Sequence, residues 1–152
     1  MKPHLLSPLA LVVAMHAVLA QEPAFAQSEL QRTHIEANVP PEDEFEPLLQ
    51  RDLLSFFRQA HGPTVTAIEV QPLRLGPTQS GVSYPKFYLW VKAMAGSSVQ
   101  QAGAVRVAAI QRTRFEVTDF LPVESIKKRP EEVGQVFPAA LVRAIQERAA
   151  SQ

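Results

Sequence analysis

Ten residues, Tyr84 to Ala93, limit what this chain can fold into more than any other stretch. Phe87, Leu89, Val91 and Ala93 alternate with Lys86, Tyr88, Trp90 and Lys92. A two-residue period is the signature of a β-strand with one buried face. The stretch also holds both tyrosines and the single tryptophan of the chain. The apolar row needs a partner layer, and the Lys-Tyr-Trp-Lys row is the most distinctive surface the sequence offers.

A second alternating stretch, Ala104–Asp119, follows a polar turn predicted over Gly96–Gly103. Val105, Val107, Ala109, Phe115 and Val117 share one parity; Arg106, Ala108, Ile110, Arg112, Arg114 and Glu116 share the other. Such a stretch is long for one strand, so it is expected to bend or split near Gln111. Upstream, Thr64–Leu75 reads as a strand whose parity changes at Gln71-Pro72, which predicts a bulge. Pro72 cannot donate to a ladder, so either the strand is an edge or the bulge releases Pro72 from pairing.

Helices flank these strands. Phe45, Leu48, Leu49, Leu53, Phe56, Phe57 and Ala60 recur at spacings of three and four, predicting a helix over about Glu42–Ala60. Glu42, Asp43 and Glu44 favour its positive N-terminal end, and His61-Gly62-Pro63 stops it. A last helix is expected from Pro138 to Ala150, with Leu141, Val142 and Ile145 as its apolar stripe. Pro122 and Lys127-Lys128-Arg129-Pro130 read as loop, with one helical turn opened by Pro130.

The ends frame a single domain. Lys2, the apolar run Leu5–Ala20 and Ala24-Phe25-Ala26 read as a secretory signal peptide over residues 1–26, with cleavage expected before Gln27 and Val18-Leu19-Ala20 as a second site, cutting before Gln21. Residues 27–40 then read as a mobile N-terminal arm, and residues 41–152 as one α+β domain. The expected location is periplasmic or secreted, with no stable membrane anchor after cleavage.

The expected architecture is a helix, a three-stranded antiparallel meander and a C-terminal helix in two layers. This order resembles the cystatin-like and NTF2-like arrangement, in which a helix packs across a curved antiparallel sheet. The resemblance is topological. The cystatin inhibitors' Gln-x-Val-x-Gly loop has no counterpart in Gln135-Val136-Phe137, so no functional residue follows from it.

Composition removes several chemistries. The chain has 15 basic and 15 acidic residues, so no overall field points to nucleic acid. It has no cysteine, which excludes thiolate nucleophiles, thiolate metal sites and dithiol redox. His34 and His61 lack partners at ligand spacing beyond Glu36, and no Gly-rich phosphate loop occurs, so no cofactor or metal is expected. Ser125 and Lys128 match a Ser-x-x-Lys spacing, but the companion motifs of penicillin-recognising enzymes are absent.

What is left is the outer face of the sheet. A turn symmetric about Val99 would set Lys92 opposite Arg106, Trp90 opposite Ala108, Lys86 opposite Arg112 and Tyr84 opposite Arg114. Like charges would then face each other twice, which costs stability unless a partner answers them. Lys86, Tyr88, Trp90, Lys92, Arg106, Arg112 and Arg114 are therefore the candidate binding residues. They suit a small non-enzymatic interaction module whose partner is an acidic protein or an anionic envelope component. The alternative is an NTF2-like enzyme with a carboxylate (Glu69, Glu116, Asp119) or His61 on the concave side of the sheet.

Overall fold

The computed structural model describes residues 22–80 and 83–152, with side chains from residue 28 onward. The expected signal peptide lies outside the described residues as far as residue 21, and the cleavage motif falls at the start of the first helix. The elements are α1 (Glu22–Asn38), α2 (Glu42–His61), β1 (Ala67–Pro72), β2 (Lys86–Ala95), β3 (Ser98–Ile110) and β4 (Arg114–Pro122). Then come α3 (Val123–Lys128), a 3-10 turn (Pro130–Glu132), α4 (Val133–Val136) and α5 (Ala139–Ala150).

The class is α+β, and the sheet is antiparallel in the order β1-β2-β3-β4. It has four strands where three were expected, because Ala104–Asp119 divides at Gln111-Arg112-Thr113 into a hairpin. Gln111 and Arg112 both take positive φ, at 51° and 62°, inside the three-residue loop between the paired Ile110 and Arg114. Thr113 N–H closes that turn on the Ile110 carbonyl at 3.1 Å.

Helix α2 forms for the reasons its sequence contains. Glu42, Asp43 and Glu44 occupy its first turn, and Gly62 at φ 91° ends it with its N–H on the Arg58 carbonyl. Leu49, Leu53 and Phe57, four apart, are buried, and Phe45, Leu48 and Phe56 pack beside them. Ala60, expected on the same face, lies exposed in the final turn. The helix covers the sheet face made by Ile68, Leu89, Val91, Ala93, Val105, Val107, Ala109 and Phe115. A register shift between Arg106 and Val107 leaves Thr118 as an extra residue in β4. That shift puts Phe120 on the same face as Val117, one residue out of the parity that Phe115 and Val117 share.

The second face departs from expectation. It is not open: Tyr88, Trp90 and Ala104 are buried under Val123, Ile126, Val133, Phe137, Leu141 and Ile145. The molecule is thus three-layered, α2 on one side of the sheet and α3 to α5 on the other. The stretch around Lys127 read as loop is helix α3, held down by Val123 and Ile126. The apolar residues of this layer are scattered over several short elements, so no single periodic stripe announces it.

Two further corrections concern the N-terminus and β1. The arm expected over residues 27–40 is helical as far as Asn38. Its Ser28–Thr33 stretch is exposed, and burial begins at His34 and Ile35. Strand β1 is an edge and ends at Pro72; its ladder with β2 runs without a register shift, so the bulge expected at Gln71-Pro72 does not form, and Leu75 lies on the surface at 88 % exposure.

Candidate functional site

The alternation in β2 and β3 places Lys86, Tyr88, Trp90, Lys92 and Arg106 on one sheet face, as expected from parity. The register does not follow. β2 and β3 join through a tight turn at Gly96-Ser97, with Ala95 opposite Ser98, rather than through a loop centred on Val99. Lys92 therefore faces Ala102, Trp90 faces Ala104, Tyr88 faces Arg106 and Lys86 faces Ala108. The doubled like-charge pairs do not form. Each of these cations sits directly opposite an alanine or an aromatic ring, and the like charges that remain close are Lys86 and Arg106.

The seven candidate residues separate into three groups. Arg112 lies in the β3–β4 turn and Arg114 at the start of β4, 3.9 Å from the Glu116 carboxylate. Arg106 and Tyr88 are structural. Arg106 Nε donates to Asp119 Oδ2 at 2.7 Å, and Nη1 donates to the Val136 carbonyl at 3.0 Å, so this side chain ties β4 to α4. The Tyr88 hydroxyl is 2.8 Å from Thr78 Oγ1, and its ring leans on Phe137. Lys86 is half-buried beside Arg106; burial, and then the Arg106 charge, hold its ammonium below its ordinary pKa.

Trp90 and Lys92 form the third group, and they meet residues from two other elements. Gln71 is opposite Trp90, and Glu69 is opposite Lys92, across the β1–β2 ladder. Arg148, in the last turn of α5, lays its guanidinium carbon 5.2 Å from the centre of the Trp90 ring. These five side chains line a recess of about 30 Å³. Trp90 itself is 1 % exposed, and its indole Nε1 is buried with no hydrogen-bond acceptor. None of the ion pairs among the described residues involves Glu69, Lys92 or Arg148. The corner therefore holds two cations, one carboxylate and an unanswered donor. Gln71 and Arg148 carried no functional signal in the sequence; Gln71 marks a parity fault, and Arg148 is one of several outward charges on a helix.

The other sequence candidates stay apart. Ser125 and Lys128 share α3 without a hydrogen bond between them. His61 is exposed and stacks on Phe57, while His34 stacks on Tyr84. Among the described residues no group of three or more His, Asp or Glu is placed to hold a metal ion. On the α2 side of the sheet the interior is filled by Leu49, Leu53 and Phe57. Glu116 borders a shallow groove of about 430 Å³ between α2 and β4, in which Asp52 accepts from the Phe115 N–H at 2.7 Å. Among the described residues no helix is long and apolar enough to cross a membrane. No protein-family model, curated protein or solved structure matches the chain.

Proposed function

We propose that the protein is a small exported interaction module, without enzymatic activity, that binds an acidic partner through the corner formed by Trp90, Lys92 and Arg148. Export rests on the leader pattern of residues 1–26. The core arrangement, α2 across an antiparallel sheet, is the part shared with cystatin-like and NTF2-like domains. The layer of α3 to α5 is an addition that closes the second face and brings Arg148 to the tryptophan.

The observation that carries the reading is the charge imbalance at the corner. Lys92 and Arg148 have no ion pair among the described residues, and Glu69 is the one carboxylate lining the recess. A cation against an indole face gains about 0.5–1 kcal/mol when exposed and more when desolvated. A partner's acidic group can therefore use Arg148 without first breaking a salt bridge. The partner is an acidic protein or an anionic component of the envelope.

Trp90 is the only tryptophan, so its emission reports on this corner alone. The mature chain is titrated with a glutamate-rich peptide and, separately, with vesicles containing anionic lipid. Saturable emission changes are expected, weakening with salt because the Debye length is only about 8 Å at physiological ionic strength. Replacing Lys92 and Arg148 together by Ala should reduce affinity by about tenfold or more. Unchanged emission with both probes at low salt, or a double variant that binds like the wild type, overturns the assignment.

A further inference from the structure

Resting on that reading, we propose that the recess is a site for one carboxylate group, with Trp90 Nε1–H as its neutral donor and Lys92 and Arg148 as its counter-charges.

Two independent observations converge on it. The first is the buried indole N–H with no acceptor. Buried donors are almost always satisfied, so an orphan asks for a partner that arrives from outside. The second is the composition of the recess that this ring lines. It holds Gln71, Glu69 and the two cations that lack ion pairs. Neither depends on the other: the first concerns a buried ring in the middle of the sheet, the second the rim around it.

Size and charge select the ligand. A volume of about 30 Å³ suits a small polar group such as a carboxylate head. Two cations against Glu69 leave a net charge of one, which a monoanion balances and a dianion does not. One carboxylate oxygen accepts from Trp90 Nε1–H while the other faces the ammonium of Lys92 or the Gln71 amide. Arg148 is the moving part. It sits in the last turn of α5, and it meets the ring by stacking rather than by a hydrogen bond. Swinging it from the ring face onto the carboxylate converts a cation–π contact into a charge-assisted hydrogen bond, the stronger interaction.

The single indole makes the test direct. The full mature chain, labelled with nitrogen-15, gives one indole N–H resonance. It is titrated with acetate, with an uncharged peptide bearing a free C-terminal carboxylate, with the same peptide amidated at its C-terminus, with a capped glutamate peptide and with inorganic phosphate. The expected result is a downfield shift of the indole proton and slower solvent exchange with the carboxylate probes, and none with the amidated peptide or phosphate. A shift with acetate as well as peptide assigns a free small carboxylate; a shift with the C-terminal or the glutamate peptide alone assigns a chain end or a side chain. Lys92→Gln and Arg148→Ala should each weaken the response by about tenfold, and Arg148→Lys should restore part of it. Trp90→Phe should abolish the preference for carboxylate over phosphate in calorimetry. If the glutamate-rich peptide binds while the indole resonance stays in place, the carboxylate site is wrong and the interaction module stands. If no acidic probe binds at all, both fall.

Discussion

Asn38 shows how much one side chain can organise. It is buried at the end of α1, where its Nδ2 donates to the His34 carbonyl at 2.8 Å. Its Oδ1 accepts the Gln111 N–H at 3.0 Å, and its own carbonyl accepts the Arg112 N–H at 2.8 Å. Those are the two residues held at positive φ, a conformation that costs non-glycine residues of order 1–3 kcal/mol. Asn38 thus answers the two amides that the strained turn presents to it. Asn38→Ala should lose about 1–3 kcal/mol in urea unfolding, since buried groups are left without partners. In the Asn38→Ala background, changing Gln111-Arg112 to Asn-Gly should recover on the order of 1 kcal/mol by relieving the turn. No recovery would show that the turn is not the strained element. An Asn at a helix end is a familiar signal, but its partner lies 73 residues away, and no local pattern connects the two.

Strands were the most legible elements and their joints the least. Parity in Tyr84–Ala93 assigned the two faces of β2 correctly, because side chains alternate whatever the strand pairs with. The β2–β3 turn was misplaced because Ser98, Val99 and Gln100 look like loop. They are an exposed strand end that projects past the core, and the pairing of Ser98 with Ala95 and of Val99 with Met94 makes it a strand, with Gln100 as the extra residue at the register shift. Gly103 was accordingly read as the last residue of a turn. It is a buried position in β3, and a β-carbon there would collide with the Leu121 carbonyl oxygen and come within 2.8 Å of Phe120 Cε2 and Pro122 Cα. Backbone cannot give way as a side-chain end can. Gly103→Ala should therefore destabilise the protein by about 1–3 kcal/mol or more, measured by chemical denaturation. A neutral result would mean that the close approach of β3 to β4 at Gly103 does not limit the side chain there.

At the scale of the molecule, one sheet serves two cores. Leu53 and Phe57 pack on one side of β2 and β3, and Ile145 and Phe137 on the other. Because both layers use the same strands, loosening either exposes the sheet to the other's loss. Leu53→Ala and Ile145→Ala should each cost about 2–5 kcal/mol. Both should shift a single transition, monitored together by Trp90 emission and far-ultraviolet circular dichroism. Separate transitions for the two probes would show the α3–α5 layer to be an independent unit. The sequence alone determined which residues of β2 share a face and where α2 starts and stops, since each of these follows from neighbours within a few positions. The tertiary structure decided what covers each face. A row of Lys, Tyr, Trp and Lys is equally compatible with water and with a second helical layer until the far segment carrying Val123, Ile126, Val133 and Phe137 is brought onto it. Burial belongs to two surfaces at once. Alternation in one strand describes only the first of them, and that is why the face read as an open patch became an interior with a single cationic corner.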